Sequence, residues 1–306
     1  MVAESRDGTL LTREGNPTSG ALPFSVIPLT PYDKYTLIAK LGYGGTAEVF
    51  LAFLSGPSDF RKLVVIKHLH PHLVEEPGVV EMFMNEARLS ARLNHPNVVQ
   101  IYEVGEEAGS YFMALEYLEG HSIDRIRNRC IHEKKGIDQD VACRIAIDAL
   151  EGLEYAHELR DFEGQHLGVI HRDISPHNLF VTYQGVVKIL DFGIAKAADS
   201  LSDTETGMVK GKFGYIAPEQ AHGGTVDRRA DLWSMGVVMW EMLAGRRLFR
   251  GGNTVETLTE TLAARIPSLV EVDPTIPEPL AGIVAKALSR DPTLRYQTAR
   301  EFKDEI

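Results

Sequence analysis

His171-Arg172-Asp173-Ile174-Ser175-Pro176-His177-Asn178 sets a carboxylate, an amide and cationic side chains in one short run, and a second carboxylate follows in Asp191-Phe192-Gly193. Two carboxylates, an amide and a cationic residue at this spacing are the types that work on phosphate groups. Together they are a set for phosphoryl transfer, a reaction in which positioning and charge neutralisation do most of the work. Upstream, Leu41-Gly42-Tyr43-Gly44-Gly45-Thr46-Ala47-Glu48-Val49 can bring its backbone close to a phosphate with no Cβ in the way. Alone such a turn is weak, since Ala47 fills the third glycine position and many glycine-rich hairpins are merely structural. Its weight comes from Val64-Val65-Ile66-Lys67 behind it, which puts a lysine on a strand facing the cleft. Glu86, 19 residues on, lies in a helical pattern from which it can reach back to pair with Lys67.

These groups need a scaffold that is strand-rich first and helical later. Residues 35–41, 47–54 and 62–69 are enriched in β-branched and aromatic residues with turns between them, and predict a three-stranded antiparallel meander. A helix is expected over 79–93, with Val79, Phe83, Ala87 and Ser90-Ala91 inward, ending at His95-Pro96-Asn97. Strands are expected over 98–104 and 111–117. After Gly120 the period becomes 3.6, with a helix over 138–159 whose stripe is Val141, Ile145, Ala149, Leu153 and Ala156, and further helices over 227–244, 254–264 and 278–288. The pattern is α+β with two lobes, about 35–118 and 119–306, and residues 1–34 are expected to be a disordered lead-in.

The 306 residues are 44% hydrophobic and 25% charged, enough to bury the cores of two lobes. No run of about 18 apolar residues occurs, which argues against a membrane segment, and the N-terminus lacks a secretory pattern. A net charge of -11 without a dense basic run argues against nucleic acid as a partner. Cys130 and Cys143, only two, read as core fillers in a reducing, cytoplasmic setting. His68, His70 and His72 alternate in a way that invites a metal site, but Pro71 breaks the strand and no cysteine is near, so a solvated connection is the expected reading.

With these motifs in order, the chain resembles the protein-kinase family from about residue 35 to its end. Ala217-Pro218-Glu219 resembles the triplet that follows the family's activation loop, Asp231-Leu232-Trp233-Ser234-Met235-Gly236 its buried helix, and Arg295 the arginine that pairs with Glu219. Tyr215-Ile216-Ala217-Pro218-Glu219-Gln220 is similar to bacterial serine/threonine kinases. The resemblance implies a two-lobe kinase fold, ATP and Mg²⁺ as cofactors, and protein hydroxyls as acceptors. It further implies that Asp173, Lys67 and Glu86 are catalytic and that Asn178 and Asp191 hold the metal. Gly42, Gly44, Gly45, Ala47, Val49, Val65 and Lys67 would line the nucleotide, with Leu115 behind the adenine and the backbone of Glu116 to Leu118 along its edge.

Two positions depart from the family. Ser175 stands where a lysine is usual, and Lys212 stands where serine/threonine kinases carry a threonine. The departures look reciprocal, so that Lys212 would supply the ammonium and Ser175 the hydroxyl; the alternative is that Lys212 is a solvated loop lysine and Ser175 a neutral substitution. The competing class for the whole chain is an inert, nucleotide-binding pseudokinase scaffold, in which the loss of the usual lysine at 175 abolishes transfer. Tyrosine as acceptor is less expected, because Ser175-Pro176-His177 lacks the Ala and Arg of tyrosine kinases. Ser200, Ser202, Thr204 and Thr206 lie in an acidic, hydrophilic segment like an activation loop. Phosphate on Thr204 or Thr206 would be drawn to Arg172, consistent with self-association for trans-autophosphorylation.

Overall fold

The computed structural model describes residues 3–4, 10–11, 25–133, 135–192 and 213–306. Strands β1 (Ala3–Glu4) and β2 (Leu10–Leu11) pair with each other. The upper lobe is built from β3 (Ser25–Tyr32), β4 (Tyr35–Tyr43), β5 (Ala47–Ser55), β6 (Arg61–Leu69), helix α1 (Val79–Ser90), β7 (Ile101–Glu107) and β8 (Ser110–Glu116). The six strands form one antiparallel sheet in the order β3-β4-β5-β6-β8-β7. One sheet face buries Tyr35, Leu37, Ala52, Val64, Ile66 and Phe112; the other buries Leu69, Met113 and Leu115 against Phe83 and Ala87 of α1. Residues at even and odd positions of β6 thus go to opposite faces, as a pleated strand requires, and Lys67 falls on the α1 side.

Within the span read as a disordered lead-in, residues 25–32 form the edge strand β3. Its prolines suggested a broken chain, yet Pro28 falls in the register shift between Val26 and Thr30 of an edge strand, where a missing N–H costs no ladder bond. The Tyr32 ring anchors the strand, edge-on to Phe112 at 5.2 Å. The strand expected over 98–104 begins later, at Ile101, because Val98 bridges Ile189 and the Val99 N–H donates to the Ile189 carbonyl.

The lower lobe follows with β9 (Gly120–Ser122), α2 (Ile123–His132), α3 (Gln139–His157), β10 (Leu179–Thr182), β11 (Val187–Ile189), α4 (Pro218–Ala221), α5 (Arg229–Ala244), α6 (Thr254–Ala263), α7 (Leu269–Val272), α8 (Glu278–Ala287) and α9 (Ala299–Glu305). Helix α5 is apolar nearly all round and buried from Ala230 to Leu243, so it forms the axis of this lobe. Helix α3, capped by the Asp138 carboxylate, packs on it and buries a face that includes Ala142, Ala146, Ala149 and Leu153. Val141 lies one position off that face and is 50% exposed, so it drops out of the expected stripe. Cys130 and Cys143 are free thiols partly covered by the same core. Among the described residues no helix is long and apolar enough to cross a membrane.

Candidate active site

Asp231, in the first turn of α5, is fully buried, and its carboxylate does three jobs. Oδ2 accepts the His171 N–H and contacts His157 Nε2, both at 2.8 Å, and Oδ1 accepts the Arg172 N–H at 2.8 Å. Burial alone would raise its pKa, but the His157 hydrogen bond and the other donors outweigh that and hold it below the usual carboxylate range. The grip explains how Arg172 sits at φ 65°, a left-handed conformation that costs a non-glycine residue energy. His171 is also buried, and burial depresses its pKa despite the pull of Asp231. Its Nε2 lies 2.9 Å from the Leu190 carbonyl, which can only accept, and its Nδ1 accepts the Asp173 N–H at 3.2 Å. The ring is therefore the neutral tautomer with its hydrogen on Nε2. The Phe192 ring lies against that ring at 4.6 Å.

On this floor Asn178 Nδ2 donates to both Asp173 Oδ2 at 2.9 Å and the Asp173 carbonyl at 2.8 Å, which turns its Oδ1 away as an acceptor. The Asn178 carbonyl in turn accepts the Leu190 N–H at 2.8 Å, tying the loop to the residue before Asp191. Asp191 has φ 42°, a second strained position. Ser175 is 1% exposed, and its hydroxyl has no hydrogen-bond partner among the described residues.

Above the floor, Lys67 Nζ lies 2.9 Å from Glu86 Oε1 and 2.9 Å from Asp191 Oδ1. The first pair was expected from spacing; the direct tie to Asp191 was not. Burial would lower the Lys67 pKa, but the Asp191 and Glu86 charges overcome it, so the ammonium stays protonated well beyond neutral pH. Val49 pairs with Lys67 across the β5–β6 ladder and Val65 with Leu115 across β6–β8, which gathers the predicted lining residues at one end of the sheet. Between β4 and β5 the Gly44 N–H donates to the Ala47 carbonyl at 2.8 Å, closing the glycine-rich turn; Gly42 is the cross-strand partner of Val49.

The Glu116 N–H donates to the Gln100 carbonyl at 2.9 Å, so that donor is spent within the protein. The Glu116 carboxylate meets Lys188 of β11 at 2.6 Å and the Gln100 N–H at 2.8 Å. That pair spans 72 residues and carried no sequence signal. Of the three histidines, His70 is buried rather than solvated, and among the described residues no group of His, Cys, Asp and Glu is arranged to hold a metal. Lys212, Thr204 and Thr206 lie outside the described residues; Arg172 is placed by its backbone as above.

Glu219 and Arg295 form a two-pronged pair with both distances 2.8 Å. Beside it, Tyr215 donates to Glu241 at 2.7 Å, and the buried Arg127 bonds Glu241, Tyr215 and Asp124. A buried Arg–Glu pair strongly disfavours loss of either partner. The only hint of it in the sequence is Glu241 interrupting an otherwise apolar helix.

Residues 35–305 match the protein kinase domain family. The chain is 45% identical over 295 residues to the tyrosine-protein kinase MasK of Myxococcus xanthus, covering 95% of this chain and 46% of that protein. It is 32% identical to the serine/threonine-protein kinase PrkC of Bacillus subtilis over 89% of this chain and 40% of PrkC. Against PknB of Mycolicibacterium smegmatis the identity is 37%, over 90% of this chain and 42% of PknB. The chain thus spans less than half the length of these relatives. In structure, the PknI kinase domain of Mycobacterium tuberculosis aligns with TM-score 0.68 at 23% identity, covering 92% of this chain and 98% of that domain, a likeness of fold.

Proposed function

The chain belongs to the protein kinase domain family, and from that premise we propose that it transfers the γ-phosphoryl group of Mg-ATP to serine or threonine hydroxyls of proteins in the cytoplasm. The observation that carries this reading is the convergence of Lys67, Glu86 and Asp191 within 2.9 Å contacts above Asp173 and Asn178. A carboxylate and an amide oxygen suit Mg²⁺, which would be held by Asp191 and Asn178. Bound there it would supply positive charge against the phosphate oxygens.

Asp173 orients the acceptor hydroxyl and takes its proton as the hydroxyl oxygen bonds to the γ-phosphorus and the bond to the β,γ-bridging oxygen breaks. Asn178 and the neutral His171 keep the Asp173 backbone and carboxylate in place. Lys67, kept protonated, faces the α- and β-phosphates, and Glu86 stops it from swinging away. The glycine-rich turn, Val49, Val65, Leu115 and the Glu116 to Leu118 backbone enclose the nucleotide.

Ser175 and Lys212 have exchanged roles in this reading. An unpartnered buried hydroxyl costs roughly 1–3 kcal/mol, which a donor from residue 212 would relieve. The exchange fails if Lys212→Ala turns over like wild type, or if Ser175→Lys with Lys212→Thr is no better than Lys212→Ala. Thr204 or Thr206 phosphate would then draw Arg172 and order the loop, in trans between two copies.

A second acceptor reading has its own support, since MasK is described as a tyrosine kinase at 45% identity. Phosphoamino-acid analysis of labelled product decides between them: phosphoserine and phosphothreonine are expected, and phosphotyrosine alone would replace the first reading with the second.

A further inference from the structure

His70 lies just past β6, three positions after Lys67, and has no part in the chemistry above. It is 3% exposed, whereas His72 is open to solvent and His68 half-buried. Its Nε2 lies 2.8 Å from the carbonyl oxygen of Gly44, and its backbone N–H donates to the Thr46 carbonyl at 3.0 Å. The ring also rests 4.6 Å from that of Tyr43 and 5.3 Å from that of His72. Contacts from the end of β6 therefore seize the glycine-rich turn on both sides of Gly45.

A carbonyl only accepts, so the His70 ring nitrogen facing Gly44 carries the hydrogen. The Gly44–Gly45 peptide is trans, as are all those described, so fixing its carbonyl toward His70 fixes the Gly45 N–H to point away from it. Among the described residues the N–H groups of Gly45 and Thr46 donate to no acceptor, and a Cβ on Gly45 would meet nothing within 4 Å. A glycine pair left to itself can rotate that peptide and turn the carbonyl toward a polyanion, which repels it.

We propose that His70 is a positioning residue for the phosphate-binding turn: its Nε2–H holds the Gly44 carbonyl so that the Gly45 N–H is presented to the nucleotide phosphates. The inference rests on reading the cleft as a Mg-ATP site.

The test is calorimetric binding to the whole chain of two probes, the non-hydrolysable imido analogue of ATP with Mg²⁺ and adenosine, which has no phosphates. His70→Phe keeps the ring volume but not the donor, and is expected to weaken the analogue about five- to tenfold while leaving adenosine unchanged. His70→Gln, whose amide nitrogen can reach the same carbonyl, should stay within about twofold of wild type for both. Equal analogue affinity in His70→Phe overturns the proposal. So does a proportional loss of analogue and adenosine, which would mean a loosened lobe. Wild type binding neither probe would instead overturn the Mg-ATP reading beneath it.

Discussion

Below the cleft, the segment from His171 to Asn178 hangs on Asp231, whose carboxylate meets two backbone N–H groups and His157 in a fully buried setting. Above it, Lys67 meets Glu86 and Asp191 through side chains that water still reaches, Asp191 being 48% exposed, and the glycine-rich turn leaves amides open. The floor holds two of its backbone N–H groups on Asp231 and its Asp173 carboxylate on Asn178, leaving the Ser175 hydroxyl as the exception, and is preorganised before any ligand arrives. The roof pairs its charges with one another and leaves its turn open to a ligand. A change in the floor should therefore register in stability, and one in the roof in rate or affinity.

Asp231→Ala should have the largest effect on folding. It strips three partners of one buried acceptor, and guanidinium unfolding should show a loss of about 3–5 kcal/mol. Lys67→Met should lower turnover by about 10²–10³ while costing no more than about 2 kcal/mol of stability, measured by labelled-phosphate transfer and the same unfolding assay. If the lysine variant unfolds as readily as the aspartate one, the contrast between floor and roof is wrong.

A smaller effect sharpens the contrast through pH. The folded pKa of His171 lies below its unfolded value near 6.5, so the unfolded chain takes up the proton first, and stability should fall as pH drops through about 6.5. Asp231 is likewise depressed, so its contribution is intact above its unfolded value near 4 and disappears as the pH falls further. Denaturation midpoints between pH 7 and 3 should decline in that order, and His171→Gln should flatten the first decline. A first decline unchanged by that substitution would remove His171 as its cause.

Much of this was legible because chemistry and periodicity coincide. Lys67 sits on a strand whose neighbours alternate, and Glu86 on a helix whose Phe83 and Ala87 face the sheet, so spacing alone brought them together. The remainder depends on tertiary partners that leave no periodic trace. β3 hid behind prolines that an edge strand tolerates, and Val98 and Val99 looked like strand residues but are spent on Ile189. Glu116 was read for its backbone, yet its carboxylate meets Lys188 of the other lobe. His70 looked solvated because the turn it holds precedes it by 26 positions. Lys212, Thr204 and Thr206 lie outside the described residues, so the reciprocal exchange and loop phosphorylation rest on sequence.

In the proposed function the Asp173 carboxylate works on the acceptor hydroxyl of phosphoryl transfer. Phosphate incorporation from labelled ATP with Mg²⁺, using a panel of protein substrates and comparing wild type with Asp173→Asn, tests it most directly. Transfer by wild type that falls at least about a hundredfold in the variant, with ATP-analogue binding retained, is the predicted result. No transfer by wild type despite nucleotide binding would contradict it and favour an inert scaffold, with Ser175 as the first residue to restore to lysine.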